Sequence, residues 1–238
     1  MSTRTHLSQF RDIAIFLDCN LDNLLKQKGH DYANYSESKR LCLLLSEVSE
    51  LVDAIKKDKG ADEEAYELAD IVIRAFNYRL VFIKSNSVCL TLDRFEKYMI
   101  SPIKELYAGR LILQTLQEST SVCDYDNIKD KYHLCESLHK KCIKIQDICL
   151  NSDNAPEVSD FRARDIYNVE ILSAIYSVAK LCMIYYEEHL SSKINEQHLL
   201  ARDDRFGRDL FWYVEDKMRK NWSRPYKYGL SENADCDN

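Results

Sequence analysis

The chain has 238 residues, 45% of them apolar, enough to bury a core in one or two domains, which excludes a disordered or collagen-like polymer. Its 33 Lys and Arg against 39 Asp and Glu leave a formal charge of −6, which excludes a broad polyanion-binding face and leaves room only for a local basic site. Five Gly and three Pro are too few to turn the strands of a sandwich, barrel or propeller, so the expected fold is all-α. The 9 Cys are odd in number, irregularly spaced and without a CxxC pair, the pattern of free thiols in a reducing compartment. MSTRTHLSQF lacks the apolar run of a signal peptide, and no stretch approaches 18 uncharged apolar residues, so a cytoplasmic protein without membrane or nucleic-acid partners is expected.

In chain order, helices are expected over about 7–27, 37–57, 62–82, 91–100, 101–119, 125–150, 161–190 and 205–222. Gly29 closes the first, Ser36 is placed to cap the second, and Lys56 and Lys57 suit its C-terminal dipole. The short turn Asp58-Lys59-Gly60-Ala61 should fold the third helix back antiparallel on the second. Ser101-Pro102 opens the fifth, the loop 151–159 with Pro156 separates the sixth from the seventh, and Pro225 stops the last. Residues 231–238 are acidic and polar and are expected to be a disordered tail behind a single domain over 1–230.

The block 41–79 carries the chemistry. At about 100° per residue, Leu44, Val48, Leu51 and Ile55 form the buried stripe of the second helix, while Glu47 and Glu50 flank that stripe instead of joining the polar side. The third helix is apolar round most of its circumference and confines Glu63, Glu67, Asp70, Arg74 and Asn77 to one arc. Antiparallel packing would set that arc against Glu47 and Glu50. Four carboxylates in a partly dry cleft repel one another unless a cation neutralises them, and an all-oxygen donor set favours Mg2+ or Mn2+ over zinc.

Glu47-Val48-Ser49-Glu50 followed by Glu67-Leu68-Ala69-Asp70-Ile71-Val72-Ile73-Arg74 resembles the ExxE…ExxD signature of the MazG-like all-α nucleoside triphosphate pyrophosphohydrolases. Asn221-Trp-Ser-Arg-Pro-Tyr-Lys-Tyr-Gly229 is similar to the NxxRPYKHG ending of small, phage-type members, with Tyr228 where they carry histidine. The resemblance covers a core, 1–85 plus 205–229, interrupted by a helical insert over 86–204 with no second ExxE…ExxD set. It implies an antiparallel bundle of the all-α NTP pyrophosphatase type, a homodimer, and hydrolysis of (d)NTP to (d)NMP and pyrophosphate. Glu47, Glu50, Glu67 and Asp70 would hold Mg2+, with Glu50 the choice for orienting water. Asn77 would contact sugar or base, Arg74 a ligand carboxylate or phosphate, and His30 the nucleobase. Arg224 and Lys227 would grip phosphate oxygens, positioned by Asn221 and Tyr226.

Other readings stand beside this one. A narrow dUTPase- or dCTPase-type enzyme shares the chemistry, and a nucleotide-sensing or protein-binding module shares the scaffold without turnover. A di-iron protein needs two Glu-x-x-His motifs, and only Glu136-x-x-His139 fits. The stripe Cys135, His139, Cys142 has zinc-like helical spacing but reads more simply as a cysteine-lined core face.

Overall fold

The structure, a computed structural model, describes residues 6–27, 36–85, 128–153, 161–201 and 207–223. Among these there is no strand. The helices are α1 (His6–Gln27), α2 (Glu37–Lys56), α3 (Ala61–Ser85), α4 (Lys131–Asp153), α5 (Phe161–Tyr185), α6 (Ser191–Ala201) and α7 (Leu210–Ser223). A π turn, Tyr186–Leu190, joins α5 to α6 without a break. No described helix is long and apolar enough to cross a membrane. The helices expected over 91–100 and 101–119 and the tail 231–238 lie outside the described residues.

The Ser36 hydroxyl caps α2, accepting the Lys39 backbone N–H at 3.2 Å. Because the serine is exposed and makes one capping bond, Ser36→Ala should lower stability by about 1 kcal/mol with no other change, read by chemical denaturation. At the other end, Lys57 N–H bonds Asp53 O at 3.0 Å and Lys59 N–H bonds Ala54 O at 3.1 Å, closing the helix. Asp58 at φ 47° and Gly60 at φ 96° then reverse the chain. Both sit in the left-handed region that Gly enters without strain and Asp tolerates. α3 therefore runs back along α2, as expected.

α3 is the centre of the molecule and packs against α1, α2, α5, α6 and α7. Its near-continuous apolar surface is the sequence counterpart of that position: Leu68, Ala69, Ile71, Val72 and Ala75 are all fully buried. The hairpin α2–α3 meets the pair α4–α5 edge to edge, since α2 touches α4 and α3 touches α5, giving a ring of four helices. One contiguous apolar core runs through this ring and on to α1 and α7. The described part of the expected insert is thus packed on the acidic hairpin.

Three helix ends differ from the expected ones by more than one turn. The seventh expected helix does not stop at 190, because Leu190, Ile194 and His198 extend its buried face through the Ser-Ser pair and no Gly or Pro intervenes before Gly207. The eighth starts at Leu210 rather than 205, where Gly207 adopts φ 81° and Asp209 Oδ1 accepts the Trp212 N–H at 3.0 Å. The sixth starts at Lys131 rather than 125, capped by Asp130, which accepts from the Tyr132 and His133 backbone N–H groups at 2.9 Å each. In the last two the overlooked signal is a capping Asp before the apolar run.

Candidate functional site

Helical spacing places Glu67, Asp70 and Arg74 on the side of α3 that faces α2, and the structure brings them to the carboxylates of α2. Arg74 donates from Nε and Nη2 to one oxygen of Glu47, at 3.1 and 2.8 Å. Asp70 is paired with the Lys217 ammonium, which arrives from α7. Glu67 lies within the electrostatic reach of Asp70, Glu50, Glu63 and Lys217. The four expected carboxylates are therefore neighbours, although they are not equally buried. Glu47 and Glu67 are buried, Asp70 is half-buried and Glu50 is exposed. Glu50 lies further round α2 from the apolar stripe than Glu47, which is why it reaches water.

Five carboxylates, Glu47, Glu50, Glu63, Glu67 and Asp70, face two cations, Arg74 and Lys217. The excess of negative charge registers on the least solvated member. Burial pushes the Glu67 carboxyl up to about 7; Lys217 opposes the shift, and Asp70, Glu50 and Glu63 add to it. Its Oε2 is buried with no hydrogen-bond partner among the described residues. Asp70 is also raised, by burial first, with Lys217 pulling the other way.

A folded-state value above the unfolded one means that the native protein holds the Glu67 proton more tightly. Its contribution to stability is complete below about pH 4.5 and is lost as the pH rises through about 7. Without divalent cations, thermal unfolding should therefore show stability falling between pH 5 and 8. Glu67→Gln should remove most of that fall, read in the same unfolding series.

Lys217 is not among the residues that the sequence singles out. It stands one turn from Tyr213 and two from Leu210, on the buried stripe of α7, and a lysine on such a stripe is the signal that could have singled it out. It belongs to a polar seam between α3 and α7. Tyr213 donates to Asp62, Tyr66 donates to Asp216 at 2.9 Å, and Lys217 bonds Asp70, so α3 residues one turn apart are each tied to α7. Lys220 pairs with Asp216 at 2.8 Å and lies 4.2 Å from the centre of the Tyr66 ring. His198 Nε2, 2.8 Å from Asp62 Oδ2, joins the seam from α6. The seam holds α7 along α3 and so fixes where the chain leaves towards the basic ending.

Compared with models of protein families, with curated proteins and with solved structures, the chain matches none.

Of the other expected contacts, Asn77 is half-buried on the Asp70 face of α3 and Asn221 is half-buried near the end of α7. Arg74 is ion-paired with Glu47, one of the carboxylates expected to hold the ion, and about a third of its side chain stays exposed. His30, Arg224, Tyr226 and Lys227 lie outside the described residues. No group of three or more His, Cys, Asp or Glu side chains among the described residues is arranged to hold a metal ion. Cys135 and Cys142 are buried in the core, where burial raises their thiols to about 11 and about 12, so neither supplies a thiolate. Glu136 is exposed and paired with Lys140 at 2.6 Å, and His139 is bonded to the Cys135 carbonyl at 2.7 Å, which removes the single Glu-x-x-His from any di-iron arrangement.

Proposed function

We propose that the chain is a Mg2+-dependent nucleoside triphosphate pyrophosphohydrolase of the MazG-like kind, acting at the carboxylates of α2 and α3. The observation that carries the reading is the buried Glu67 Oε2, without a hydrogen-bond partner among the described residues, close to Glu50 and Asp70 in a cluster still short of positive charge with Arg74 and Lys217 in place. An oxygen-rich, under-neutralised cluster fits Mg2+, or Mn2+ in its place. Glu47, Glu50, Glu67 and Asp70 would hold the ion. When bound, it supplies charge for the polyphosphate and lowers the pKa of water.

The chain's own groups do the rest. Lys217 and Arg74 are held against carboxylates that a divalent cation would take over, which frees an ammonium and a guanidinium to meet phosphate oxygens. Exposed Glu50 is placed to accept a proton from water, being the one carboxylate of the four that is exposed to it. Asn77, on the same face of α3, is placed to contact the nucleoside. Arg224, Tyr226 and Lys227 follow α7 closely in sequence, so the seam that fixes α7 also limits where they reach.

In this reading α4 and α5 supply, within one chain, the second half of an antiparallel bundle that a partner's hairpin would otherwise complete. A homodimer then associates through another surface. A nucleotide-sensing module without turnover is the second reading, favoured by the pairing of two carboxylates with Arg74 and Lys217.

Incubating the protein with Mg2+ and a panel of NTPs and dNTPs, dUTP and dCTP included, separates these readings. Monophosphate plus pyrophosphate supports the proposal, and turnover confined to dUTP or dCTP makes the enzyme a narrow one. Diphosphate plus phosphate, or binding of nucleotide without products, overturns it.

A further inference from the structure

A cleft of about 700 Å3 opens where the α2–α3 turn meets the start of α4 and the π turn, a volume in the range of small-molecule sites. It is lined by Glu64, which lies about 120° round α3 from Asp70, so cleft and acidic cluster open on different sides of that helix. Glu64 is 5% exposed. Its carboxylate has two contacts among the described residues, the Tyr185 hydroxyl at 3.4 Å and Lys131 Nζ at 3.7 Å. Both exceed the roughly 2.7–3.2 Å of a well-formed bond, so a buried carboxylate facing a cavity is left under-satisfied.

The surroundings of Glu64 are specific. Burial and the Glu64 charge hold the Tyr185 hydroxyl far above its ordinary range, so it stays protonated and donates to Glu64. His189, within the π turn, stacks on the ring of Tyr185, the residue just before that turn, at 4.9 Å and 26°, and π turns inside α-helices concentrate at functional sites. Nε2–H of His189 donates to the Ile128 carbonyl at 2.7 Å, which pins the backbone next to Lys129. Lys129 and Lys193 also line the cleft, and neither has a carboxylate within ion-pair distance among the described residues. Of the acidic lining residues, Asp130 is committed to capping α4, while Asp58 and Glu196 are exposed to water.

A matching ligand carries adjacent N–H donors for Glu64, a flat ring for the His189–Tyr185 pair and an anionic group for the two lysines. Guanine presents an imino and an amino N–H side by side, which one carboxylate accepts together. Uracil offers a single N–H flanked by two carbonyl acceptors that a carboxylate repels, and adenine offers an amino group beside an acceptor nitrogen. We propose that this cleft is a binding site for a guanine nucleotide, distinct from the acidic cluster, with Glu64 reading the base and Lys129 and Lys193 holding the phosphate.

The test is calorimetric titration of the full chain, in EDTA, with GMP, AMP, UMP and inorganic phosphate. GMP should bind at least tenfold more tightly than the other three. Glu64→Gln should weaken GMP at least tenfold, and so should Lys193→Glu, an exposed substitution that leaves the fold alone, whereas Asp70→Asn should leave GMP binding unchanged. Equal binding of UMP or phosphate, no binding of GMP, or GMP binding lost in Asp70→Asn and kept in Glu64→Gln would each overturn the assignment. The last outcome would place the nucleotide in the acidic cluster. Absence of turnover would leave this proposal standing, because it does not rest on the catalytic reading.

Discussion

Asp70→Asn and Glu50→Gln should each reduce release of pyrophosphate from nucleoside triphosphates by about 100-fold or more, with the protein still folded. Both replacements keep the size of the side chain and remove one charge from a cluster that, in the proposed function, works through charge. The fold should survive for a reason specific to each position. Glu50 is exposed, so its amide costs little. Asp70→Asn takes a carboxylate from Lys217, but Glu67 stands within the same ammonium's electrostatic reach and takes over the pairing. The measurement is a product-resolved rate assay alongside far-ultraviolet circular dichroism of each variant. Unchanged turnover in both folded variants would detach the chemistry from these carboxylates.

Arg79→Ala should be strongly destabilising, by about 3 kcal/mol, equivalent to a fall of roughly 10 °C in Tm for a chain of this size. Arg79 is 4% exposed, paired with Asp18 of α1 and bonded to the Tyr176 hydroxyl of α5. Its guanidinium also lies 5.8 and 5.5 Å from the centres of the Phe76 and Tyr176 rings. Removing it strands Asp18, whose carboxyl is already raised by burial against the pull of Arg79, and unties three helices at once. Asp18→Leu together with Arg79→Met should recover much of the loss, because both buried charges are gone. Thermal unfolding of the single and double variants decides it. An Arg79→Ala protein as stable as the wild type would mean that the triad is not what joins α1 and α5 to α3.

The hairpin α2–α3 was legible in the sequence because three local signals agree there. Ser36 caps α2, Leu44, Val48, Leu51 and Ile55 repeat at helical spacing, and Asp58 to Gly60 supply the turn. The convergence of Glu47, Glu67 and Asp70 followed from the same arithmetic, since an antiparallel hairpin leaves little choice about which faces meet. What covers the hairpin was not legible. The apolar circumference of α3 announces burial on every side but does not say that α5 and α7 provide it, because that pairing is set by contacts between residues about 100 or 150 apart, such as Arg79 with Tyr176 and Asp70 with Lys217. Lys217 was hidden among neighbouring cations, and Glu64 sits on the apolar side of α3, where its carboxylate is unexplained by periodicity. The π turn has no sequence signature of its own, and it moved the end of the α5 rod by eleven residues, from 190 to Ala201.

The proposed activity depends most directly on whether the α2–α3 carboxylates take up a divalent cation. Titration of the full chain with Mn2+, followed by electron paramagnetic resonance of the unbound ion, measures this without any assumption about the nucleotide. The wild type should take up Mn2+, Glu67→Gln and Asp70→Asn should each bind it at least tenfold more weakly, and Lys193→Glu should bind it as the wild type does. Uptake that is absent from the wild type, or equal in the wild type and both carboxylate variants, would contradict the proposed site.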